Sequence, residues 1–221
     1  MKVFCSWSGG KDCCLACYEA ISEGFEVTRL LNMISQDGER SRSHGLRSEL
    51  IRAQSEAVGI PVLQRGASWE SYETEFKKAI SQLKSEGIEG GVFGDIDLDA
   101  HREWIERVCA ELSIKPILPL WRGDREKLLR RFIELGFEAI VVAVKEEISG
   151  LQWLGRKVDE EFLDDAKRVG IDLCGEEGEY HTFVIDGPIF LKRIKVIETE
   201  KVKRGERIFL DILSYRLEVK G

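Results

Sequence analysis

The chain has 221 residues, of which 43% are apolar, so it is long enough for one large or two small domains and rich enough to bury a core. Its formal charge of -7 sets a global field that argues against a nucleic-acid partner. The longest apolar runs, such as Ala139 to Val144, are too short to span a bilayer, and no charged start leads into a signal-peptide core, so a soluble cytoplasmic protein is expected.

Lys2 to Ser6 predicts a short apolar strand. Lys11 to Ser22 predicts a helix, with Leu15, Ala16, Ala20 and Ile21 spaced to face a sheet. A second strand follows over Glu26 to Ile34, then a polar loop over Ser35 to Gly45 and a helix over Leu46 to Val58. Gly59-Ile60-Pro61 closes that helix and opens a third strand through Leu63. Tyr72 to Ser85 carries Phe76, Ala79, Ile80 and Leu83 on one helical stripe. Gly90 to Phe93 and Lys115 to Leu118 are strands, with a helix over Ala100 to Leu112 between them. This alternation argues for an α/β fold with a parallel sheet covered on both faces.

The pattern changes near Pro119-Leu120-Trp121, which divides the chain into residues 1–122 and 123–221. Beyond it, helices are predicted over Asp124 to Leu135 and Asp159 to Val169, and a strand over Phe137 to Val144. From Tyr180 three β-branched and aromatic segments are punctuated by Gly187-Pro188 and Arg204-Gly205, as in a smaller, mostly antiparallel α+β region. Lys192 to Arg207 carries seven Lys or Arg against three Glu, which suits either a docking surface or the solvated edge of a ribbon.

The six cysteines stand at 5, 13, 14, 17, 109 and 174, without a secreted-framework spacing, and are expected to be reduced. Cys14 and Cys17 form a C-x-x-C that lacks the partner pair a metal site needs. Charged residues reach 33% and Asn32 is the single asparagine, a composition expected of thermophile proteins.

Ser8-Gly9-Gly10-Lys11-Asp12 sits between the first strand and the first helix, where phosphate-binding loops occur. Glycines permit a tight turn and a close backbone approach, the helix start offers free N–H groups, Ser8 offers a hydroxyl and Lys11 a charge. Asp12 fits beside phosphates once Mg²⁺ is added. Gly94-Asp95 ends the fourth strand, the edge of an open α/β sheet where ligands sit, and Asp95 is a second candidate metal ligand. His44, in Ser43-His44-Gly45, is placed to meet a nucleotide. Trp153 and Arg156 stand between glycines in Gly150 to Arg156, and Arg suits a phosphate or carboxylate. Glu176-Glu177-Gly178-Glu179-Tyr180-His181-Thr182 packs three carboxylates, a His and a Thr around a turn, an arrangement better suited to chemistry than to folding.

The opening loop is not G-x-x-x-x-G-K-[ST] and contains no G-x-G-x-x-G. It resembles the PP-loop, S-G-G-x-D-S, of the N-type ATP pyrophosphatases, with Cys13 where the last Ser usually stands. With "GDI" and downstream "HREW", "PLW", "WLGR" and "GEEGEYHT" in order, nearly the whole chain resembles the diphthine–ammonia ligases of archaeal, single-module type. The resemblance implies a Rossmann-like, adenine nucleotide alpha hydrolase-like parallel sheet over 1–122 that binds ATP and Mg²⁺, and a substrate-binding region over 123–221. It implies that Ser6, Ser8, Gly9, Gly10, Lys11, Asp12, Cys13, His44, Gly94 and Asp95 hold the nucleotide, with Asp12 and Asp95 on the metal. Trp153, Arg156 and the residues Glu176 to Thr182 would meet the substrate, and Lys11, Asp12, Glu179 and His181 would carry catalysis. The implied reaction amidates diphthine on translation elongation factor two with ammonium, and a homodimer is common for such folds. The rivals are a tRNA-modifying enzyme with the same loop, marked by salt-sensitive tRNA binding, and a nucleotide-binding regulator that releases no pyrophosphate.

Overall fold

The computed structural model describes residues 1–42, 44–147 and 152–220. Ser43, Gly150 and Leu151, quoted above within two motifs, lie outside the described residues.

The first sheet is built from β1 (Lys2–Ser6), β2 (Glu26–Ser35), β3 (Val62–Ala67), β4 (Gly90–Val92) and β5 (Lys115–Ile117). All neighbours are parallel, in the order β3-β2-β1-β4-β5. β1 is central, and Val3, Phe4 and Cys5 are fully buried, which is why it is a plain apolar run rather than an alternating one. α1 (Lys11–Ser22) and α2 (Ser48–Val58) share a core with Val3, Cys5 and Leu30. α3 (Tyr72–Ser85) and α4 (Asp99–Glu111) share a separate core with Phe4, Leu31 and Met33, on the other face. The α/β expectation with helices on both faces holds.

β3 runs on to Ala67, past the expected end at Leu63. It is an edge strand, so Gln64 and Arg65 can sit in it half-buried. Gln64 Nε2 donates to Asn32 Oδ1 at 3.3 Å and to Ser48 O at 2.9 Å. The polar segment after β2 folds back on its own strand through the bridges Ile34–Ser41 and Arg40–Arg47.

Beyond α5 (Arg125–Glu134), β6 (Glu138–Lys145), α6 (Glu160–Val169), β7 (Tyr180–Asp186), β8 (Lys192–Arg204) and β9 (Arg207–Val219) complete the chain. The four strands form an antiparallel sheet, ordered β7-β6-β9-β8. β6 lies inside this sheet, and its buried run from Ala139 to Val144 packs into the core that α1 and α2 also enter. One continuous apolar cluster therefore ties the two sheets together.

β8 is the sheet's edge. Its basic side chains are occupied within the chain: Lys192 pairs with Glu56 at 2.8 Å, Lys203 with Glu146 at 2.7 Å, Lys195 with Glu218 at 3.7 Å and Arg193 with Glu138. The charge excess along Lys192 to Arg207 is thus largely absorbed by internal pairs.

The polar loop and the ribbon meet at Asp211, which is 7% exposed. Arg40 grips it through both nitrogens at 3.0 and 2.9 Å, Arg47 approaches to 3.0 Å, and Arg204 to 3.5 Å. Burial alone would raise its pKa, but the two guanidinium hydrogen bonds outweigh it and hold the carboxyl at about 2. Asp211→Ala leaves three guanidinia facing one another. Breaking a fully buried pair costs more, but these arginines are about a third exposed, so a loss of about 2 kcal/mol in urea unfolding is expected. Because the folded pKa lies below the unfolded one, this contribution is present above about pH 4 and fades as pH falls toward 2.

Candidate active site

The loop after β1 turns through Gly9 at φ +86°, a conformation that favours glycine. A Cβ there would also stand 2.7 Å from Ile51 Cδ1. Its carbonyl accepts from Val184 N and from Gln54 Nε2, each at 3.0 Å. Gln54, fully buried on α2, also donates to Val184 O at 2.7 Å and accepts from Trp7 Nε1 at 2.7 Å. The loop is clamped between α2 and β7, and nothing contiguous in the sequence marks Gln54 for that task.

Lys11 begins α1 and is only 4% exposed. Its backbone N–H donates to Thr182 Oγ1 at 3.0 Å. Its ammonium donates to Asp12 Oδ2 at 2.8 Å and to the Cys174 carbonyl, and lies 5.3 Å from the centre of the Tyr180 ring. Burial opposes the charge, but Asp12, Tyr180 and Cys174 overcome it and hold the pKa above the usual lysine value. Burial raises the Asp12 carboxyl, and the Lys11 ammonium only partly offsets that.

Cys13 is held within the loop by two hydrogen bonds. Ser8 Oγ lies 3.3 Å from its sulfur, and the thiol donates to Gly10 O at 3.2 Å. Burial would raise its pKa, yet hydrogen bonds from Cys14, Ser8 and the loop backbone bring it down. All six cysteines are free and buried.

A cavity of about 520 Å³ opens over this loop. Ser6, Ser8, Lys11, Asp12, Cys13, His44, Gly94 and Asp95 line it from the first sheet. Glu176, Gly178, Tyr180, His181 and Thr182 close it from the second. The cavity therefore collects most of the residues that the sequence singled out. Burial, then the nearby Asp12 carboxylate, push Glu176 up to about 7. Asp95 is held by His101 Nδ1 at 3.0 Å.

His44 and His181 stack across the junction, with ring centres 4.6 Å apart and planes inclined by 22°. His44 Nδ1 lies 3.0 Å from the Thr182 carbonyl, which can only accept, so that nitrogen carries the proton. Burial, then Lys11, lower the His44 pKa to about 4, and burial with His44 and Arg207 holds His181 well below its ordinary value. The unfolded chain then binds more protons than the folded one below about pH 6.5. Stability should fall as pH drops through 6.5 toward 4, and His44→Gln should flatten that slope, as read by thermal unfolding in a pH series.

Four residues expected to meet the substrate fall elsewhere. Trp153 is 2% exposed and packs edge-on to Phe162 at 5.1 Å, with Arg156 over its ring at 5.2 Å. Arg156 is committed to Asp165 at 2.6 Å. Neither lines the cavity: "WLGR" is a packing element beside α6. Glu179 also points away from it, accepting from Asp172 N at 3.3 Å, while its Oε2 is buried without a hydrogen-bond partner. Glu177 is exposed at the turn, where its carbonyl takes Lys145 Nζ at 2.7 Å. Residues that the sequence did not single out enter instead: Trp69, Tyr72 and Phe76 line the cavity, joined by Trp104.

A parallel sheet carrying this loop at the carboxyl end of its first strand, with a buried lysine and a neighbouring carboxylate under one cavity, is the arrangement of a Rossmann-like fold with a ligand site at its strand ends. Residues 1–116 match the diphthamide synthase N-terminal domain, and residues 124–217 match the diphthamide synthase C-terminal domain. The chain belongs to the diphthamide synthase family. It is 31% identical to the mouse protein named diphthine–ammonia ligase, over 98% of this chain and 91% of that one. The human protein of that name is 28% identical, over 98% and 90%. A solved structure titled predicted subunit of tRNA methyltransferase, from Methanocaldococcus jannaschii, matches with a TM-score of 0.47 and 16% identity, over 85% of this chain and 98% of that one. Among the described residues no helix is long and apolar enough to cross a membrane.

Proposed function

We propose that the chain is a diphthine–ammonia ligase: it activates the carboxylate of diphthine on translation elongation factor two with ATP and converts it to the amide with ammonium. The observation that carries this reading is the shared cavity, in which the loop residues Ser8, Lys11, Asp12 and Cys13 face the acidic turn and His181. The name of the curated relatives across nearly the full chain supports it.

A carboxylate does not react with ammonia until its oxygen becomes a good leaving group. Attack of that oxygen on the α-phosphorus of ATP forms a carboxyl-adenylate and breaks the bond to pyrophosphate. Ammonia then attacks the carbonyl carbon, AMP departs, and one proton leaves the nitrogen. The chain has to position groups and neutralise charge. The N–H groups at the start of α1 and the Lys11 ammonium would receive the leaving pyrophosphate. An ammonium has three protons to donate, and the Lys11 side-chain hydrogen bonds occupy two of them. His181, neutral at physiological pH, would accept the proton that nitrogen sheds as it attacks. Glu179 would hold the turn in place by fixing Asp172 N.

Mg²⁺ fits the donor set. Among the described residues no three Asp, Glu, His or Cys side chains form a cage. This ion, however, usually takes one or two carboxylates and completes its shell with phosphate oxygens and water. Asp12 and Asp95 line the cavity, and Asp12 and Glu176 oppose each other's charge. The ion would supply charge neutralisation at the phosphates. Residues 1–122 would then serve the nucleotide and 123–221 the protein substrate.

The test incubates the chain with ATP, Mg²⁺, ammonium and a diphthine-bearing elongation factor. AMP, pyrophosphate and the mass change of acid-to-amide conversion are expected, each dependent on the factor. Failure to form AMP with all four present overturns the reading.

A further inference from the structure

One wall of the cavity has no part in the reaction described above. It is aromatic and comes from three separate places: Trp69 in the turn after β3, Tyr72 and Phe76 in α3, and Trp104 in α4. Trp69 is 73% exposed, a large apolar surface left open at the rim. The Tyr72 ring centre lies 6.2 Å from Trp69 and 6.1 Å from Trp104, with planes inclined by 31° and 49°.

The wall is held before any ligand arrives. Arg42 stacks on Trp69 at 4.0 Å and donates to Ala67 O at 3.0 Å. Trp104 Nε1 donates to Glu73 Oε2 at 2.8 Å, and its ring packs on Phe76 at 5.1 Å. Asp95 lines the same cavity, and burial together with its charge pushes the Tyr72 phenol up to about 12, so the ring stays uncharged.

Trp69 and Trp104 are inclined to Tyr72, and the one parallel pair, Tyr72 and Phe76 at 9°, packs ring against ring with centres 6.1 Å apart, so the wall offers no slot for a flat base. Leu31, Met33 and Phe93, apolar residues of the same cavity, offer a base a better surface. Inclined electron-rich rings suit a rounded, weakly hydrated cation. From this geometry we infer that Trp69, Tyr72 and Trp104 form a subsite for a quaternary ammonium group. It rests on the proposed ligase reading, because diphthine carries both a trimethylammonium and the carboxylate to be activated. A side chain bearing both groups would place them in this one cavity. The subsite would make the enzyme selective for the fully methylated substrate.

Two measurements test it. Ligand-detected magnetic resonance with tetramethylammonium chloride should show saturation transfer to the methyl protons from the wild-type chain. Trp69→Ala, a change at an exposed position, should abolish the transfer and Trp69→Phe should restore it. Equal transfer from wild type and Trp69→Ala, or none from wild type, overturns the subsite whether or not the chain is a ligase. In the amidation assay, Trp69→Ala should raise KM for the diphthine-bearing factor about tenfold and leave KM for ATP unchanged. An unchanged KM for the factor, or a raised KM for ATP as expected of a base-binding wall, overturns the subsite while the ligase reading stands. Absence of AMP from wild type overturns the ligase reading and leaves the tetramethylammonium measurement to decide the subsite.

Discussion

Lys11→Met should lower kcat for AMP formation by about a hundred- to a thousandfold, the cost of removing one preorganised charge from a transition state. Methionine nearly matches the aliphatic stem, so the loss isolates the ammonium. That ammonium is 2.8 Å from Asp12, and it also takes the Cys174 carbonyl, which belongs to the second half of the chain. It joins the two sheets at the loop, and in the proposed reaction it would also face the place where pyrophosphate charge develops. The thermal midpoint separates the two roles. Removing Lys11 leaves Asp12 half-buried near Glu176 without a counter-charge, which destabilises. The same change relieves the cost of burying the ammonium. The two effects oppose, so the midpoint should move far less than kcat does. A fall in stability large enough to unfold the protein at the assay temperature, with normal turnover in the cold, would assign Lys11 to structure alone.

The loop was legible because its parts are contiguous. Ser8 to Asp12 carry their spacing in the chain, and a strand before and a helix after are enough to place them. The elements were legible for a similar reason: β1, α1 and α3 have the bounds that their apolar spacing predicts. Less legible was what the spacing of residues in space requires. "WLGR" has the look of a recognition motif, yet Trp153 is 2% exposed and Arg156 is spent on Asp165, so its constraint is packing. Glu179 shares a turn with Glu176, but residues three apart around a glycine turn point to different sides, and only Glu176 meets the cavity. The aromatic wall left no signature, since Trp69, Tyr72 and Trp104 come together only when β3, α3 and α4 pack. Gln54 is a polar residue on a helix with no motif around it, and its role appears only once β7 docks on Gly9.

Gly94→Ala should cost about a hundredfold in kcat/KM, for a reason that the sequence also concealed. Gly94 lies two residues past the end of β4 and passes directly over the first turn of α1. A Cβ there would stand 2.9 Å from the Asp12 carbonyl carbon, 2.9 Å from Cys13 N and 3.0 Å from Asp12 O. Every one of those atoms is backbone, so no rotamer change relieves the contact. The strand end and the helix start must separate by a few tenths of an ångström, and the helix start is where Asp12 and the N–H groups proposed to receive the anion are fixed. Overpacking of this kind destabilises by about 1–3 kcal/mol, while misplacing reacting groups by an ångström costs on the order of a hundredfold in rate. Gly10→Ala offers the contrast. Its Cβ would meet a side chain, His44 Cε1 at 2.2 Å, rather than backbone. Removing that ring in the double variant Gly10→Ala/His44→Ala should recover part of the nucleotide binding that Gly10→Ala alone loses. No side-chain deletion should rescue Gly94→Ala. If a second-site truncation restored Gly94→Ala to wild-type kcat/KM, the contact that matters would not be the backbone of Asp12 and Cys13.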